Sequence, residues 1–178
     1  MFRRDAMARI MPAMAALGLV LLTSMPAHGE AVTSDALLDR AQIEDLLTRY
    51  YYNFGKERRE SFGNFYSDDA EMILGTTSYK GRLAIEGAYK ALANADIPQR
   101  KSFSFNILMT NTLIVVHGST ATARLIFTEV VTDKQGETPR ILTQGKEFDN
   151  LVKVNGQWRI AKRQILGAEA TPPPGWTE

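Results

Sequence analysis

The run RILTQGKEFDNLVKVNGQWRIAKRQILG occupies residues 140–167. Two β-rich segments flank Asn155-Gly156, a dipeptide that accepts the positive φ angles of a tight hairpin turn. Upstream, SFSFNILMTNTLIVV (102–116) and TATARLIFTEVVT (120–132) have the same character. His117-Gly118 and Lys134-Gln135-Gly136 supply the intervening turns. The spacing predicts a four-strand antiparallel meander over 102–167.

The preceding half is helical. Ser34 reads as an N-cap with Asp35 in the first turn. Ile43, Leu46, Leu47, Tyr50, Tyr51 and Phe54 recur at the spacing of one helical face. Gly55 reads as the C-terminal cap. A second short helix is expected over 57–66, broken by Ser67-Asp68-Asp69. AEMIL and a Gly75-Thr76-Thr77 turn predict a small hairpin ending at Gly81. A third helix follows over 83–93. Helices first and a meander after is an α+β pattern.

Residues 1–29 read as a secretory signal: Arg3, Arg4 and Arg9, then an apolar run, then small residues around a cut after Gly29. The alternative is an uncleaved anchor. Export to the periplasm follows, with a single domain over 30–170 and a proline-rich tail over 171–178. The full chain has 21 Lys+Arg and 20 Asp+Glu, a formal charge of +1. The signal holds three arginines and one aspartate, so 18 and 19 remain and the mature charge is −1. No basic stripe suits nucleic acid, and no membrane partner is expected after cleavage.

There is no cysteine, which excludes thiolate nucleophiles and thiolate metal sites. The two histidines are His28, in the signal, and His117, at a turn. A buried histidine base is therefore not expected, and Ser-His-Asp hydrolases and His-rich zinc sites fall away. No glycine-rich phosphate loop or ligand cluster points to a metal, nucleotide or flavin. The expected cofactor set is none.

RAQIEDLLTRYY (40–51), FYSDDAEMIL (65–74), YKGRLAI (79–85), the strand around Asn111 and NGQWRIAKR (155–163) together resemble the SnoaL-like branch of the nuclear-transport-factor-2-like superfamily. The resemblance implies a cone: three N-terminal helices packed in a strongly curved antiparallel sheet, with an apolar pocket opening at one end. It also implies a homodimer or higher homo-oligomer. Scytalone dehydratase, steroid isomerases, polyketide cyclases and hexachlorocyclohexane dehydrochlorinase are members. The dehydratase and dehydrochlorinase resemble each other in a histidine–aspartate pair with a nearby arginine. Here Leu108 and Gly55 stand at the pair's positions, and Arg163 at the arginine's.

Other groups must then serve. Glu147 matches a pocket-facing strand position, and Asp149 shares its face by alternation. A glutamate in an apolar pocket can replace histidine as acid or base. Alternatively, Glu147 pairs with Arg163 or Arg124 as a structural salt bridge. Asn106 either holds a substrate oxygen or satisfies a strand end. Arg124 is a second inward cation or a surface charge, depending on register. Asp69 matches the second aspartate of the family's DDA segment, as a pocket group or a polar turn.

With Ile43 as origin, Tyr50 falls at about 340°, Tyr51 at about 80° and Tyr52 at about 180° around the helix. These angles predict one core, one pocket-edge and one outward tyrosine. Tyr51 either donates a hydrogen bond in the pocket or fills the space of the missing aspartate. The candidate catalytic set is thus Arg163, Glu147 and Tyr51. Asn106, Leu108, Tyr50, Asp69 and Arg124 are the candidate substrate-binding residues. The expected activity is a cofactor-independent lyase or isomerase acting on a small apolar oxygenated molecule. The alternative is a non-catalytic small-molecule binder.

Overall fold

The computed structural model describes residues 33–54, 60–95, 102–174 and 176. The signal, the cut at Gly29, Gly55 and the start of the expected second helix lie outside them.

Helix α1 spans Ser34–Tyr52. Its N-cap is Thr33 rather than Ser34: Thr33 Oγ1 accepts from the Ala36 amide at 3.1 Å. Ile43, Leu46, Leu47, Tyr50 and Tyr51 form its buried stripe. Asn53 closes the helix, and its side chain exchanges two hydrogen bonds with the Glu60 backbone. Helix α2 spans Arg82–Asn94 and buries Ile85 and Tyr89.

Where a second helix was expected, the described chain makes only a 3-10 turn, Phe62–Phe65. Strand β1 (Tyr66–Leu74) already begins at Tyr66. Ser67, Asp68 and Asp69 therefore lie in a strand instead of ending a helix. The reason is long-range: Tyr66 before them and Glu71–Leu74 after them pair with the C-terminal strand, which outweighs local propensity. The described residues thus hold two α-helices, not three.

Strand β2 (Thr77–Lys80) completes the small hairpin. The meander is β3 (Ser104–His117), β4 (Thr120–Thr132), β5 (Arg140–Val154) and β6 (Gln157–Gly167). The order in the sheet is β2-β1-β6-β5-β4-β3. All neighbours are antiparallel except β1 and β6, which run parallel. The sheet is mixed, which corrects the all-antiparallel expectation. A parallel pair needs a long crossover and has no local turn signature to read.

Three single-residue irregularities shape the meander. Thr110 pairs with Ile126 but Leu113 with Arg124, so β3 carries one extra residue near Asn111, whose φ is 52°. Glu129 pairs with Thr143 but Val130 with Ile141, so β5 carries one extra at Leu142. Asn150 pairs with Lys162 but Leu151 with Ile160, so β6 carries one extra at Ala161. Bulges bend and twist the strand that holds them. The curved sheet closes around α1, which packs mainly against β3 and β6.

Asp39 ties α1 to the β5–β6 hairpin. Both Lys153 Nζ and Trp158 Nε1 donate to its Oδ1. Trp158 is otherwise core.

Candidate active site

A cavity of about 770 Å³ opens between α1, α2 and the inner face of the sheet. Its walls are mostly apolar: Phe54, Met72, Leu92, Ile107, Phe127 and Ile165 among others. Tyr50, Tyr51, Tyr79, Tyr89, Thr143, Glu129 and Glu147 are its polar lining groups. This is the composition of a small-molecule site.

Strand alternation brings Leu125, Phe127 and Glu129 of β4 to the inner face, opposite Glu147, Gly145 and Thr143 of β5. Gly145 is required there. A Cβ on it would overlap the Phe127 ring and the Leu166 carbonyl. The ring lies over the glycine, in the space a side chain would take.

Glu147 is 0 % exposed. Tyr51 Oη donates to its Oε2 at 2.6 Å. Arg163 Nη2 stands 2.9 Å from its Oε1. That contact is an ion pair without a directed hydrogen bond, because the N–H groups of Arg163 aim at Asp149. Nε and Nη2 donate to the two Asp149 oxygens at 2.9 and 2.8 Å, a bidentate fork. The guanidinium carbon also lies 3.9 Å from the centre of the Tyr50 ring. Nη1 has no hydrogen-bond acceptor among the described residues.

Burial and charge balance act on Glu147 together. One buried cation faces two buried carboxylates, and the fork assigns it to Asp149. An ionised Glu147 would be a buried excess charge. Burial accordingly pushes its carboxyl well above the ordinary value of 4.5; Arg163 opposes the shift and Asp149 adds to it. Burial, and then Glu147, likewise hold the Tyr51 phenol protonated. Burial raises Glu129 as well, to a smaller extent.

A second hydroxyl group of residues lies alongside. Tyr50 and Tyr89 share a short hydrogen bond, Tyr66 and Tyr89 meet at 3.1 Å, and Tyr89 reaches Met72 Sδ at 3.1 Å. Tyr50 is therefore both core and cavity wall, while Tyr52 is 65 % exposed.

The structure gathers Tyr50, Tyr51 and Glu147 at the cavity. Arg163 joins them from behind: it is fully buried and touches Glu147 but is not a wall residue. The other candidates fall elsewhere. Leu108 is 52 % exposed and Asn106 also faces out, while their neighbours Ile107 and Met109 pack inward. A slip of one residue moves a strand position to the opposite face. Arg124 is exposed on the outer face opposite Phe148. Asp69 is exposed in β1 and accepts from Ser67 Oγ at 3.0 Å. His117 is exposed at the β3–β4 turn.

Sequence reading missed Glu129, Gly145 with Phe127, and Tyr89 as a wall residue. Alternation from Arg124–Leu125 onward would have found Glu129. Nothing local marks Gly145, whose role depends on its cross-strand partner.

The model of the SnoaL-like domain family matches residues 35–164. The chain belongs to the SnoaL-like family. Among curated proteins no sequence matches it. Solved structures share its fold. A protein of unknown function from Mycobacterium tuberculosis is 25% identical, with a TM-score of 0.61 and 76% of each chain covered. A protein from Novosphingobium aromaticivorans, provisionally named a scytalone dehydratase, is 20% identical, with a TM-score of 0.61, covering 83% of this chain and 100% of its own. A second protein from that organism, described as nuclear-transport-factor-2-like with a cystatin-like fold, is 21% identical at a TM-score of 0.60 and covers 77% of this chain and 86% of its own. In this SnoaL-like protein Glu147 stands on the wall of an apolar cavity, with Arg163 and the Tyr51 hydroxyl against its two oxygens.

Proposed function

We propose that this SnoaL-like protein is a cofactor-independent lyase or isomerase for a small, mostly apolar oxygenated molecule. The observation that carries the reading is Glu147, a fully buried acid on the wall of an apolar cavity, with Arg163 and Tyr51 against its two oxygens. In a lyase step, Glu147 protonates a leaving hydroxyl as its C–O bond breaks, and the carboxylate so formed takes the adjacent C–H proton, which releases water and returns Glu147 to its acid form. In an isomerase step, Glu147 protonates a carbonyl oxygen and its carboxylate takes a proton from the neighbouring carbon, a tautomerisation of unchanged mass. Either way charge develops on Glu147 beside a fixed cation and a hydroxyl donor, which lowers the barrier without reorganisation. Arg163 acts through Glu147 as a positioning residue. One structural relative bears the provisional name scytalone dehydratase, which is consistent with the lyase form.

A binding-only reading is favoured by one feature. Tyr51, Glu147, Arg163 and Asp149 satisfy one another, as a structural network does. Incubation with oxygenated aromatic and polycyclic compounds, scored by mass spectrometry, separates the two. The expected result is a product of lost water or unchanged mass, formed without cofactor and reduced at least about 100-fold in Glu147→Gln. Ligand retained unchanged over long incubation would establish the binding reading. Export with cleavage near Gly29, a mature domain over 30–170 and a homo-oligomeric state complete the proposal.

A further inference from the structure

The cavity carries a second acid that the proposed chemistry does not use. Glu129 and Thr143 are cross-strand partners that line the cavity. Glu147 lies four residues along β5 from Thr143 with no bulge between, so both acids face the same side. At about 3.3 Å per residue, the two carboxylates are anchored about 13 Å apart. Phe127, over Gly145, occupies the rung between them. Glu129 is half-buried, and its side chain makes no hydrogen bond or ion pair among the described residues. It faces apolar wall, so it gains from a ligand donor that desolvates with it.

We infer that Glu129 is a specificity residue: the ligand is elongated, lies along β4–β5 across Phe127, and ends in a hydrogen-bond donor that Glu129 receives. Its inner end carries the oxygen that meets Glu147. The polar-to-polar span of the ligand is then about 8 Å if its two hydrogen bonds lie along the line joining the acids and about 13 Å if they lie across it, a range that includes three fused rings. The inference rests on the cavity being the ligand site, but not on turnover there.

Three fluorescent probes test it: 2-hydroxyanthracene, 2,6-dihydroxyanthracene and 2-hydroxy-6-methoxyanthracene. The dihydroxy probe should bind the full chain about tenfold more tightly than the methoxy probe, which offers no second donor. Glu129→Leu should erase that preference. Glu129→Gln, which keeps an acceptor, should retain part of it. Equal binding of the dihydroxy and methoxy probes, or a preference that survives Glu129→Leu, overturns the role of Glu129 alone. No binding of any probe overturns it together with the cavity as the ligand site. Thermal unfolding of both variants confirms that the site is intact.

Discussion

Arg163 is the residue on which the site depends, because it is spoken for twice. Its fork holds Asp149, and its remaining field falls on Glu147. Burial nonetheless raises the Glu147 carboxyl well above its ordinary value, against the pull of Arg163. The stability consequence has a definite sign. A folded-state pKa above the unfolded one favours folding most below about pH 4.5, and that contribution declines as pH rises toward the folded pKa. Glu147→Gln has the same shape and no proton to lose. Its stability relative to wild type should rise with pH above 4.5, by up to about 1.4 kcal/mol per unit. Denaturant titrations across that range check it, and parallel curves would mean that Glu147 is ionised throughout. At this scale Glu147 was legible by resemblance, and Asp149 followed from it by alternation. Arg163 was legible only by resemblance. Counting by twos from Trp158 and Ile160 points Lys162 inward, and the extra Ala161 gives the place to Arg163. Asn106 and Leu108 failed for the matching reason, on a strand with its own extra residue at Asn111.

Among the elements, the β5–β6 hairpin was the most legible, because Asn155-Gly156 is a local signal: Asn155 has φ 50° and Gly156 φ 77°. Its attachment to α1 was not legible. Asp39 sits among polar helix residues, and its partners come from 114 and 119 positions away. Asp39→Ala should cost about 1–3 kcal/mol, since Lys153 and the Trp158 N–H lose one shared acceptor. The urea midpoint should fall with an unchanged slope. No change in midpoint would show that water replaces the carboxylate at no cost. The β1–β6 pairing was illegible for a related reason. Parallel partners far apart in sequence leave no turn between them to recognise.

For the molecule as a whole, the C-terminal tail lies against the outer face of the sheet. Lys146 Nζ donates to the Ala170 carbonyl at 2.8 Å. Trp176 meets Phe148 edge-on at 5.1 Å, so this outward side chain is 4 % exposed. The tail thus covers part of the outer face of the sheet, and we propose that face as the contact of the homo-oligomer. Removing residues 168–178 should uncover Phe148 and tighten self-association, read as a lower dimer dissociation constant by sedimentation. Unaltered association would place any dimer contact elsewhere.

The three bulges carry a consequence for how such a shape changes over generations. Each is one surplus residue within the meander, so deleting Ala161 would leave every β5–β6 rung matched. The hollow in the sheet is therefore written in insertions, and a lineage could deepen or flatten it one codon at a time without re-pairing a strand.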